Sequence, residues 1–140
     1  MNKRNGHLYI IEGDVTPLTR STDKKRIWDF ITAFRLTNHI SLQHQHGEFD
    51  KLEGPLHLES IFYLPFQGSI IKGKQYKNRY HLAKPYLSGL LILVEAVGVD
   101  IIFRSTSNIV SVETKKLYDS ERPRVEFRLF EIKIKENGCL

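Results

Sequence analysis

Between Glu59 and Glu95 the chain carries no carboxylate, yet it holds five cations there: Lys72, Lys74, Lys77, Arg79 and Lys84. A stretch so composed cannot hold a hard ion such as Mg²⁺, which asks for oxygen ligands that include one or two carboxylates. It suits phosphate instead. Lysines and arginines spaced through Tyr76 and Tyr80 are what contacts to a nucleic-acid backbone require, with ring faces for unpaired bases. A solvated loop tip is the plain alternative. Lys115, Lys116, Arg122, Arg124 and Arg128 make a second basic run, although on a strand Arg124 and Arg128 would share a face with Glu126 and pair part of that charge. Other groups have a weaker chemical case. Glu95 and Asp100, five apart, would leave a helix on different faces and read as surface or capping residues. His39, His44 and His46 lack an i, i+4 pair from His39 and a nearby cysteine, so they read as solvated helix-end histidines rather than a zinc site. Cations near a helix C-terminus are mildly favourable in any case. Cys139 has no helix N-terminus or basic pocket around it to make it a nucleophile.

The elements that would position these groups follow from the local pattern. Residues 7–12 read as a first strand, and GDVTPLTR as the turn after it. Ser21, Thr22 and Asp23 are N-cap candidates for an amphipathic helix from about 25 to 44, with Ile27, Ile31, Phe34 and Ile40 on its apolar face and Gly47 ending it. LHLESIFYLP alternates apolar and polar residues and closes on Pro65, as a strand does. Residues 67–84 read as an exposed loop. Leu87 to Val97 fits either a buried helix headed by Ser88 or a buried strand, since periodicity alone does not separate the two. Residues 108–112 and 126–134 read as strands joined by a turn at 119–123. Leu90, Leu91, Val94, Ile101, Ile109 and Val110 are expected in the core. The order β, α, β, loop, α, β, β predicts an α+β domain with a mixed or antiparallel sheet packed by helices.

Several of these stretches carry a resemblance. IIEGDVTPLTR followed by RIWD, then GPLHLESIFYLP, then His81, Lys84 and Pro85 stand in that order. Ile101, Ile102 and Phe103 lead into Ser107, Ile109, Val110 and Ser111. Lys115, Lys116, Tyr118, Pro123, Arg124, Glu126 and Phe127 close the run. The chain resembles the RusA family of Holliday-junction resolvases over nearly its whole length, without gaps from His81 to Phe127. The resemblance implies one RusA-like domain over residues 1–140, a homodimer, four-way-junction DNA as partner, roles in recombination and repair, and Mg²⁺ as the family's cofactor. It also makes Leu87 to Val97 a helix and Arg20 a family-like basic residue.

The departures fall on the chemistry. Tyr86 and Ser88 stand where the family has acidic residues after Lys-Pro, with Gly89 for its asparagine and Ile92 for its lysine. Ala96 replaces the helix aspartate, and Ser105 and Thr106 replace paired aspartates. Hydroxyls alone hold Mg²⁺ poorly, and phosphodiester hydrolysis of this type relies on the ion to activate water and offset developing charge. The expectation is a DNA-binding pseudonuclease without a metal or other cofactor, its contacts drawn from Arg20, Lys72, Lys74, Lys77, Arg79, Lys84, Lys115, Lys116 and Arg124. An active Mg²⁺-dependent crossover junction endodeoxyribonuclease with unusual ligands is one alternative. A regulatory or protein-interaction subunit is another.

Bulk properties agree with this class. At 140 residues the chain fits one domain, and 41% hydrophobic with 26% charged residues is ordinary for a globular protein. Net charge +5 permits a polyanionic partner. The single cysteine excludes an internal disulfide and fits a reducing cytoplasm. No segment reads as a signal peptide or a membrane span.

Overall fold

The computed structural model describes residues 3–15, 23–65, 77, 79–82 and 87–133. In chain order these form β1 (Lys3–Glu12), α1 (Lys24–His46), β2 (Leu56–Leu64), α2 (Leu87–Gly98), a short 3-10 turn (Thr106–Asn108), β3 (Ile109–Tyr118) and β4 (Arg124–Ile132). The architecture is α+β. Arg20, Lys72, Lys74, Lys84 and Tyr86 lie outside the described residues.

Each helix starts and stops for local reasons. The Asp23 carboxylate accepts the Lys25 amide at 3.0 Å and caps α1. Gly47 ends it with φ 68°, a left-handed value that glycine adopts without a Cβ penalty. Ile31 and Leu42 are buried along α1, with Ile27, Phe30 and Phe34 packed beside them. Ile40 is not on that face: it is exposed, because nine residues after Ile31 a helix has turned half a revolution away. In α2 the buried side chains are Leu90, Leu93, Val94 and Val97, and Gly98 is buried at its end. That i, i+3, i+4, i+7 spacing makes this stretch a helix with one inward stripe.

The sheet is mixed, in the order β1-β4-β2-β3. β4 pairs antiparallel with β1 and β2, and β2 pairs parallel with β3. A parallel pair needs a crossover connection, and α2 lies on it. β3 and β4 therefore do not form the hairpin that the turn at 119–123 suggests, since β2 is inserted between them. Val110 also departs from its expected core position and is exposed. Leu56 stands opposite Ile109 and His57 opposite Ser111, which leaves Val110 as the extra residue of a bulge.

Burial alternates along β2, with Leu56, Leu58, Phe62 and Leu64 inward. They join Val125, Phe127 and Leu129 of β4, Tyr9 and Ile11 of β1, and the helix stripes in one core. Leu90, Val94 and Ile101 belong to it as expected, while Leu91 and Ile109 are half-buried at its margin. Edge strand β1 is covered by the end of α1. There the Gln45 amide accepts the Ile10 N–H at 2.6 Å and donates to the Ile10 carbonyl at 2.7 Å, as a neighbouring strand would. His46 is buried with its Nδ1 2.7 Å from the Tyr9 hydroxyl. It is part of the core and not a solvated helix end. Among the described residues no helix is long and apolar enough to cross a membrane.

Candidate nucleic-acid interface and the open sheet face

Of the described positions at which the resemblance expects functional side chains, Ser105 has a local hydrogen-bonding role and the others are exposed or half-buried. Ser88 is exposed in the first turn of α2, and Ile92 is largely exposed one turn on. Ser105 caps the 3-10 turn: its Oγ accepts the Ser107 amide at 3.2 Å, and its own amide donates to Asn108 Oδ1 at 2.9 Å. Ser105 Oγ also lies 2.8 Å from Ser107 Oγ. Thr106 is exposed beside them. Ser88 opens α2 while Ser105 and Thr106 follow its far end, with a helix of ~18 Å between them along the chain. Glu95 is half-buried on α2, and burial holds its carboxyl above the usual value. Asp100 is off the helix, in the following turn with φ 65°, and its carboxylate lies 3.8 Å from Arg35.

The basic residues divide into two groups. Lys77 and residues 79–82 run beside the edge strand β3: Lys77 bridges to Tyr118 and Tyr80 to Leu117, and the His81 amide donates to the Lys116 carbonyl at 2.9 Å. This places Lys77, Arg79 and the exposed ring of Tyr80 on one rim of the molecule. Lys77 is 3.3 Å from Glu121, both half-exposed. His81 is buried, its ring 4.6 Å from that of Tyr118. Lys115 is exposed on the sheet face away from the helices, while Lys116 is half-buried and its ammonium is held below the ordinary pKa by that burial.

Arg124 belongs to neither group. Its Nη1 donates to Asp119 at 3.0 Å and to the Arg122 carbonyl at 2.9 Å, and its Nε donates to Glu126 at 2.7 Å. Its guanidinium sits 3.7 Å over the Tyr63 ring. Desolvation opposes the charge, but the Glu126 and Asp119 hydrogen bonds outweigh it and hold the guanidinium pKa above its usual value. Burial likewise pushes the Asp119 carboxyl up, yet Arg124, the Arg122 and Glu121 amides and the charge of Lys77 bring it below the carboxylate range. Its Nε and Nη1 are thus engaged by two carboxylates and a backbone carbonyl.

Among the described residues no element covers the sheet face away from the helices. Strand periodicity turns His57, Glu59, Ile61 and Tyr63 of β2 toward it, and the register adds Ser111, Glu113 and Lys115 of β3 and Glu126 and Arg128 of β4. Glu59, Glu113, Lys115, Glu126 and Arg128 line a shallow hollow there, of about 120 Å³. At one end the ligand atoms of His57, Glu59 and Glu113 all lie within 4.8 Å of one another. The sequence reading passed over this group. Its signal was present in the alternation His57, Glu59 on a strand, but Glu113 joins them only once β3 is known to run parallel beside β2. Compared with known proteins, the chain matches no family model and no curated sequence.

Proposed function

We propose that this protein binds DNA through the basic rim beside β3 and does not cleave it by the Mg²⁺ chemistry of the RusA-like nucleases it resembles. One observation carries the loss of cleavage: Ser105, in place of a metal-binding aspartate, is spent on capping a turn. Binding can outlast cleavage because the two use different side chains. Lys77, Arg79 and Tyr80 lie together on the rim, and the net charge of +5 adds long-range attraction to phosphate. The resemblance suggests a branched substrate, a homodimer and a part in recombination or repair. The exposed Trp28, Leu36 and Ile40 of α1 supply an apolar surface consistent with self-association. A single cysteine suits a reducing cytoplasm.

The test uses labelled four-way junction and matched duplex, with and without Mg²⁺ or Mn²⁺, read for both mobility shift and incision. The expected result is a metal-independent shift without products. Symmetric incision at low protein concentration would establish an active nuclease, and absence of any shift at low salt would favour a protein-interaction subunit.

A further inference from the structure

The cluster on the open sheet face has the attributes of a metal site, and none of its residues stands where the resemblance expects an acidic ligand. His57 and Glu59 stand two apart on β2, so both side chains leave the same face, and the parallel register sets Glu113 of β3 directly beside Glu59. Two carboxylates side by side on neighbouring strands repel unless a cation lies between or near them. Arg128 faces Glu59 from β4, and Lys115 lines the same hollow, so part of that charge is already balanced.

The histidine supplies the independent observation. Its Nδ1 is 2.5 Å from Ser111 Oγ, which fixes the ring. Its Nε2 is shut off from solvent without a hydrogen-bond partner. The nearest carboxylate oxygen, on Glu59, is 3.7 Å away. That is too long for a hydrogen bond. It is the separation of two ligands around one ion when each bond is ~2.1 Å and the angle between them is wide.

We propose that His57 Nε2 and one oxygen each of Glu59 and Glu113 bind a divalent transition-metal ion of the Zn²⁺ type, with solvent completing its shell. An imidazole beside two carboxylates favours such an ion over Mg²⁺, which prefers an all-oxygen octahedron. Ser111 orients the ring and is a positioning residue. The ion joins β2 to the edge strand β3. The inference is independent of the DNA-binding reading.

The test is calorimetric titration of the chelator-stripped full chain with ZnCl₂, alongside thermal melting. One Zn²⁺ per chain is expected, with a rise in Tm that grows with metal concentration. His57→Ala and Glu113→Gln should each abolish both signals, and Ser111→Ala should weaken binding by about 10- to 100-fold. Glu113 is exposed, so Glu113→Gln keeps the test decisive if His57→Ala fails to fold. No saturable binding overturns the proposal. So does wild-type affinity in a folded ligand variant, which would place the ion elsewhere, or a Mg²⁺ signal equal to that of Zn²⁺.

Discussion

Two buried polar pairs carry the sharpest expectations for single residues. Asp119 is almost fully enclosed with Arg124, whose guanidinium keeps Glu126 as a second carboxylate partner. Asp119→Ala removes a charge-assisted hydrogen bond without stranding the arginine and should cost about 1.5–3 kcal/mol in urea unfolding at neutral pH. Because the folded carboxyl titrates below its unfolded value, its contribution is present above pH ~4 and is lost as pH falls through the lower folded pKa. Asp119→Asn should flatten that acid limb of the stability profile. Tyr9 gives the opposite sign. Burial lifts its hydroxyl to about 12, so the native state holds this proton more tightly than the unfolded chain. Stability from Tyr9 is complete below pH ~10 and declines as pH rises toward that folded value. Tyr9→Phe should remove this alkaline component and cost about 1–3 kcal/mol at neutral pH by stranding His46 Nδ1. An absorbance titration should show one tyrosine ionising late. The pairing of Arg124 with Glu126 was legible from their spacing on a strand. Asp119 was legible only as a turn residue, since its partners arrive through the turn's own conformation.

Elements were easier to read than their neighbours. Caps and periodicity located α1 to within two residues, and alternation located β2, because both signals are local. The ambiguity at Leu87 to Val97 is resolved by packing, with four buried positions on one helical stripe. What local pattern did not disclose was the pairing of β3 with β2. The signal was the order strand, helix, strand, which points to a parallel crossover rather than to a hairpin closed by the next turn. The stripe also corrects the weighting of individual leucines. Leu93 is fully buried and Leu91 is marginal, so Leu93→Ala should cost about 2–5 kcal/mol by chemical denaturation and Leu91→Ala clearly less. Gly98 tests the end of α2. A Cβ there would lie 2.5 Å from the buried Phe103 ring. Alanine is the better helix former, yet Gly98→Ala should lower stability by about 1–3 kcal/mol through overpacking. An unchanged or raised midpoint would show that the ring can yield.

For the molecule as a whole, the question is whether the excess positive charge is available to a polyanion. Some of the cations are held by carboxylates: Arg122 pairs with Glu12, Arg104 with Glu53, and Arg124 with Asp119 and Glu126. Lys77 is the informative case, because Glu121 already holds it at 3.3 Å while both side chains remain half-exposed. Such an exposed pair is weak, so a phosphate can displace the carboxylate, but the carboxylate still competes and repels the backbone. Two substitutions on one ion pair should then move DNA affinity in opposite directions. Lys77→Ala should weaken binding to junction and duplex alike and make the dependence of log affinity on log salt shallower by about one unit. Glu121→Gln should strengthen binding, most visibly at low salt, where exposed charges are least screened. Binding isotherms across a salt series would measure both. If the two variants shift affinity in the same direction, or not at all, the rim beside β3 is not a DNA-binding surface.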